Sequence, residues 1–349
     1  MEIINKENEN PLHLACENSQ IHLIKSLLVS NTNINSMNKQ GLSALHVAAI
    51  KGNVEVTKLL INEGADIELK DSQYGSSPLL HACQNGRVNI VKLLIEKGAN
   101  VKSESSSGTN ALHFATQSGN IKVVELVIDG IGDVNSKDIN GMTALHLAAE
   151  TGNLKLLDVL IGKGADINLS QTLLCENNAL HFSAKKGFVK TVIYLIKKGC
   201  NIYCRNSHNH TFLQHIFRNP EIDEASKIDI IEAMLDIGAD VNSFDIILSP
   251  FEKIPLLFSS LLNCMDKLFK VLVNNGAKLT NDVPILQSTS VFDLAIKYRR
   301  FSAAKAILAV GPYHKDKQNL NVAEQSLKRK ENDFFKIVLY HHLHHNKIH

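Results

Sequence analysis

A chain of 349 residues in which 37 Lys and Arg stand against 35 Asp and Glu, for a formal net charge of +2, projects no field that would gather nucleic acid or an anionic membrane. No stretch of about 18 apolar residues occurs, and the start, MEIINKENENP, lacks a basic-then-apolar leader, so neither a membrane span nor secretion is expected. Tryptophan is absent and the 6 cysteines are unpaired in spacing, which predicts a reducing compartment and an interior of Leu, Ile, Val and Ala.

In chain order, the first element opens at Asn10 with NPLHLA, and its polar Glu17, Asn18 and Gln20 around a helix reversal suit an N-terminal cap. Ser43 opens a second unit with SALHVA, Ser77 a third with SPLLHA and Asn110 a fourth with NALHFA, which follows the serine-rich lead-in Ser103 to Ser107. The fifth, NGMTALHLAAETGNLKLLDVLIGKGADIN from Asn140, is the most regular. In it Thr143 supplies a cap oxygen, and Ala144, Ala148 and Ala149 let a second helix approach closely. Gly152 reverses the chain, and Leu154, Leu157, Leu160 and Ile161 form the inward stripe of the returning helix opposite Lys155, Asp158 and Gly162. A sixth unit opens with NALHFS at Asn178 after an enlarged hairpin, SQTLLCEN.

The register can be tested by subtraction. Caps at Asn10, Ser43, Ser77, Asn110, Thr143, Asn178 and Thr211 are separated by 33, 34, 33, 33, 35 and 33 residues. From cap to the end of the second helix is 21 residues in the first six units, reaching Asn31, Gly64, Gly98, Ile131, Gly164 and Gly199. The seventh keeps TFLQHIF and LDIGADVN, but Thr211 to Gly238 is 27 residues, an insertion around Pro220. Pro255-Leu256-Leu257 with NNGAK gives a degenerate eighth unit behind a connection containing Pro250. Ser290 to Gly311 gives a ninth, and Asn321 onward a tenth with the polar outer face of a C-terminal cap.

A period near 33 with this opening motif resembles the ankyrin-repeat family. The resemblance implies an all-α ankyrin-repeat solenoid of about nine to ten helix-turn-helix units with hairpin loops and degenerate C-terminal units. Residues 1–243 form repeats one to seven, and 244–349 form degenerate repeats and a helical cap. It also implies that His13, His46, His113, His146 and His181 bridge backbone groups between neighbouring units; the third unit departs, with Leu80 in that place and His81 one later. Ankyrin stacks present hairpin tips and the exposed end of each first helix on a concave side. Laid on this sequence, the partner-binding tips are Lys39, Gln40, Gln73, Tyr74, Ile139, Asn140, Leu173 and Leu174. The helix ends are Ile50, Lys51, Gln84, Asn85, Gln117, Ser118, Glu150, Thr151, Lys185 and Lys186.

Other chemistry is thin. The recurring histidines form a row rather than a point of convergence, so they are structural. Cys200, Cys204, His208, His210 and His215 are zinc-binding types, but Cys200 reads as core and the rest as scattered. Cys16 and Cys83 replace core alanines and read as small buried hydrophobes. His341 and His345 fall on a polar terminus. The basic residues Lys297, Arg299, Arg300, Lys328, Arg329 and Lys330 are interleaved with Asp293, Glu324 and Glu331 and read as a solvated face. No phosphate loop, dinucleotide glycine run, HExxH or GxSxG occurs. The expected function is a monomeric, cytoplasmic scaffold that binds a partner protein, with no enzyme activity, cofactor, metal, nucleic acid or membrane insertion. Two alternatives are an adaptor or host-directed effector of an intracellular pathogen, working through the divergent C-terminal region, and an enzyme with an active site after residue 244. The Asn- and Ile-rich composition suits an AT-rich genome, and host cytoplasm follows if the chain is a bacterial effector.

Overall fold

The computed structural model describes residues 10–30, 32–171, 176–249, 252–279, 291, 295 and 300–310. They belong to two compact units, Met1–Leu195 with Asn206–His208, and Ile196–Arg205 with Asn209–His349.

Up to Lys197 the chain is a series of short helix pairs: α1 (Pro11–Glu17) and α2 (Ile21–Val29), α3 (Ala44–Lys51) and α4 (Val54–Asn62), α5 (Pro78–Gln84) and α6 (Val88–Glu96), α7 (Ala111–Ser118) and α8 (Ile121–Ile131), α9 (Ala144–Thr151) and α10 (Leu154–Gly162), α11 (Ala179–Lys185) and α12 (Val189–Lys197). The first helices pack in one row, α1 on α3, then α5, α7, α9 and α11, while α4, α6 and α8 stack behind them. Small residues make the first row possible, because Ala15, Ala48, Ala82, Ala115, Ala148 and Ala184 have no exposed surface at all.

All seven spacing markers are the N-caps of first helices. Ser43, Asn110, Thr143 and Asn178 accept from the N–H of the histidine three residues on, whose ring returns the bond to the cap's own N–H, a reciprocal capping box. Ser77 and Thr211 make no side-chain cap bond. Neither has that histidine, since Leu80 and Gln214 stand there.

At Gly152 the chain reverses with φ +70°, and a Cβ would lie 2.8 Å from the Phe188 ring. Gly162, inside α10, has nothing within 4 Å of a Cβ. Gly152→Ala is expected to lower stability by about 1–2 kcal/mol through αL strain and that clash, whereas Gly162→Ala should gain up to about 1 kcal/mol. Urea melts of the two variants decide; a loss at Gly162 equal to that at Gly152 would contradict this account.

Two details differ from the sequence reading. In α10 the fully buried residues are Leu156, Leu157 and Leu160, while Leu154 and Ile161 are only partly covered. Leu154 is the first residue of the helix. In the fourth unit the helix includes Ile131, and Gly132 takes the positive φ at +85° one residue later.

The second unit contains α13 (Phe212–Arg218), α14 (Glu224–Asp236), β1 (Asp245–Ser249), β2 (Glu252–Pro255), α15 (Leu256–Leu262), α16 (Asp266–Asn274) and α17 (Phe301–Val310). The insertion around Pro220 precedes α14, 13 residues long where the second helices α4, α6 and α10 have 9, and capped by Asp223 on Ser226 N–H. The connection before the eighth unit, to which the sequence reading assigned no structure, contains an antiparallel strand pair. Ile246 opposes Ile254 across it and both are buried, a β-branched pair suited to a strand. Arg205 Nη2 donates to both carboxylate oxygens of Asp245 at 2.9 Å, fixing the start of β1. Of the ninth unit, α17 packs on α16, with Ala303, Ala304 and Ile307 buried. The tenth unit, the C-terminal histidines, Lys297, Arg299, Lys328, Arg329 and Lys330 lie outside the described residues, as do Asn31, Pro250, Leu173 and Leu174.

Candidate functional site

The hairpins of the second to fifth repeats are rigidified from within. Asn38 Oδ1 accepts from Gln40 N–H at 3.0 Å and Leu42 N–H at 2.9 Å, and Asp138 Oδ1 does the same for Asn140 and Met142. Asp71 goes further: Oδ1 accepts from Gln73 and Tyr74, and Oδ2 from Ser76 and His81 Nε2 at 2.8 Å. Burial alone pulls the Asp71 carboxyl upward, but the Tyr74 N–H, the His81 ring and the Gln73 N–H together hold it below the ordinary range. The fourth hairpin has no Asn or Asp there and uses hydroxyls, Ser105 to Ser107 to Thr109, each 2.9 Å apart.

The tips are then bonded to one another. Ser72 N–H donates to Gly41 O at 3.0 Å, Ser106 to Tyr74 O at 2.8 Å and Ile139 to Ser107 O at 3.0 Å. Gly41, at φ +75°, allows the first of these, since any Cβ would collide with the Ser72 hydroxyl.

On this ladder the sequence-predicted tip residues Lys39, Gln40, Gln73, Tyr74, Ile139 and Asn140 are exposed, as are the helix-end residues Lys51, Gln84, Asn85, Gln117, Thr151, Lys185 and Lys186; Ile50, Ser118 and Glu150 are half-buried. Tyr74 is 58 % and Ile139 57 % exposed, although both are large hydrophobic side chains. Ion pairs tie neighbouring helix ends, Lys51 to Glu17 at 2.7 Å and Lys186 to Glu150 at 3.2 Å, and being exposed they set register more than stability. A recess of about 260 Å³ opens between the hairpin tip of the second repeat and the ends of α1 and α3, with Leu14, Leu42, Val47 and Ile50 among its walls and Lys39 at its edge.

The histidine row behaves as a set of staples. Nε2 of His13, His46, His113 and His146 bonds to the carbonyls of Leu42, Ser76, Met142 and Leu169 at 2.8 to 3.0 Å. His181 shares the cap arrangement, its Nδ1 2.6 Å from Asn178 Oδ1. Burial pushes the His46 and His146 rings down to about 4, with their backbone bonds opposing, and lowers His113 in the same way. Such rings stay neutral and serve structure.

Cys16, Cys83 and Cys200 are free and buried, and burial raises the Cys16 thiol to about 12 and that of Cys83 beyond it, so both are inert thiols. Among the described residues, the His, Cys and carboxylate ligands that meet are His46, Asp71 and His81, not the late cysteine and histidine cluster.

Comparison with known proteins agrees with this geometry. A family profile described as ankyrin repeats (3 copies) matches residues 12–105, 66–138 and 102–171, and the single ankyrin repeat profile matches 175–207. The chain belongs to the ankyrin-repeat family. Its repeats are in general protein-interaction modules and typically non-enzymatic. The chain is 35 % identical over 113 residues to the B-cell lymphoma 3 protein homolog of Mus musculus, covering 31 % of this chain and 25 % of that protein. It is 32 % identical over 80 residues to the putative ankyrin repeat protein FPV230 of Fowlpox virus (strain NVSL), covering 23 % of this chain and 42 % of that one. The match thus spans about a quarter of the length of the first relative. The crystal structure of the human ASB11 ankyrin repeat domain superposes with TM-score 0.56 at 22 % identity, covering 66 % of this chain and 98 % of that one, a likeness of fold.

Proposed function

We propose that this ankyrin-repeat chain is a scaffold that binds a partner protein across the hairpin tips and first-helix ends of its second to sixth repeats. The observation that carries this reading is the exposure of Tyr74 and Ile139 on backbone that the tip ladder already locks. The fold asks for no apolar side chain at either place, and an ordered tip loses little entropy when it is covered. A standard interface covers about 800 Å² per partner, so several adjacent repeats take part, and a few anchors dominate its energy.

A partner recovered by affinity capture with the full chain provides the test. Tyr74→Ser with Ile139→Ser should weaken its binding at least about 10-fold, each anchor being worth on the order of 1–2 kcal/mol, while the thermal midpoint stays that of the parent. Undiminished binding would take the interface away from the tips and favour the adaptor reading, in which the region after residue 244 recruits the partner.

A further inference from the structure

Among the described residues, the seam between the second and third helix pairs is where three metal-ligand types converge. In the second, fourth, fifth and sixth repeats the residue after the stapling histidine is apolar, Val47, Phe114, Leu147 or Phe182. The third repeat inverts the order, with Leu80 on the inner position and His81 on the outer one. The exchange sets the His81 ring edge-on to His46, centroids 5.4 Å apart and planes at 89°. Asp71, whose side chain is fully buried, reaches into the same space, with Oδ2 2.8 Å from His81 Nε2. One ligating atom from each of His46, Asp71 and His81 lies within 4.8 Å of the other two.

We propose that this seam is a binding site for a divalent transition ion of the zinc class, held by the two imidazoles and the carboxylate. The Ser76 carbonyl, 3.0 Å from His46 Nε2, is the oxygen assigned here as the fourth ligand. Two nitrogens and two oxygens suit tetrahedral Zn²⁺ with metal–ligand distances of about 2.0–2.1 Å, so the donors, already converged, adjust by roughly an ångström. Calcium and magnesium want more oxygens than the seam offers.

Without metal the donors satisfy one another, His81 donating to Asp71 and His46 to Ser76. The ion replaces both bonds. Ligation through Nε2 moves the remaining ring proton of each imidazole to Nδ1; for His46 that proton goes to Ser43 Oγ at 2.7 Å, and the bond that Nδ1 accepts from the Ser43 N–H is given up. The other Asp71 oxygen is held by the Gln73 and Tyr74 N–H groups, which aims the carboxylate. These are the outer partners that orient ligands in protein metal centres. The His81 side chain, 11 % exposed, is the route by which the ion arrives. The bound ion would clamp α3, α5 and the third hairpin together.

The variants that test this are supplied by the chain's own repeats. Asn38 occupies in the second hairpin the place of Asp71 and bonds the same kind of N–H groups, so Asp71→Asn preserves the turn. Leu147 occupies in α9 the place of His81, so His81→Leu preserves the helix. Circular dichroism and metal-free thermal midpoints confirm that both fold. Equilibrium dialysis of the full chain against ZnCl2, with CoCl2 absorption as a reporter of tetrahedral coordination, then compares them with the parent. The parent is expected to take up one more equivalent of Zn²⁺ than either variant, to show the intense visible bands of tetrahedral cobalt, and to gain thermal stability with added zinc. Equal stoichiometry in all three proteins, or cobalt bands that survive both substitutions, would overturn the site and assign any uptake to other histidines and cysteines.

Discussion

Acidification from pH 7 to pH 4 in the presence of a chelator is expected to remove several kcal/mol of stability, most of it through two rings. His46 and His146 are held down to about 4 by burial, against an ordinary value near 6.5. Their folded values are depressed, so the unfolded chain takes up protons first. The stability they contribute is fully present above about pH 6.5, is lost as the pH falls from there toward 4, and levels off below. A displacement of that size is worth roughly 3 kcal/mol for each ring, and His113 adds in the same direction. Asp71, whose carboxyl lies below its ordinary range, contributes stability that is lost only at lower pH, so it cannot mimic the effect. Urea midpoints recorded between pH 7 and 4 should therefore begin falling above pH 5, before carboxylates matter. A flat profile down to pH 5 would mean that the rings are not buried neutral staples.

Leu157→Ala is expected to cost about 2–5 kcal/mol, as burial of a leucine without exposed surface implies. Lys155→Ala on the same helix, exposed, should stay within about 0.5 kcal/mol. The asymmetry tests the facing of α10 directly, because the two residues are neighbours but one. Equal shifts in denaturant midpoint for the two would reverse the assignment of inner and outer face.

Much of this was legible in the chain. Subtraction of cap positions located seven N-caps because a hydroxyl or amide before an apolar run is a chemical requirement that recurs once per repeat. The exposure of Tyr74 and Ile139 followed from their place at hairpin tips. What resisted reading depended on neighbours. Leu154, Leu156, Leu157 and Leu160 offer more than one apolar stripe at helical spacing, and which of Leu154 and Leu156 is fully buried is not fixed by period alone. The pairing of Ile246 with Ile254 joins two short runs, each too brief to announce a strand. The triad of His46, Asp71 and His81 draws on three segments of two repeats, with spacings that match no metal motif. The shift of His81 by one residue was visible, but its meaning required the ring it now faces.

The cross-repeat bonds have one further property, their span along the chain. His13 reaches 29 residues ahead, His46 reaches 30 and Lys163 reaches 34 back to Asp129. In the second unit, Arg300 reaches 34 back to Asp266, and Glu224 receives the N–H groups of residues 43 and 44 ahead. Each closes a loop of similar length, so each carries a similar entropic cost, and that cost grows only slowly with span. None of these closures waits for the far end of the polypeptide. Folding of such an array can keep pace with synthesis, each repeat docking as soon as its successor leaves the ribosome.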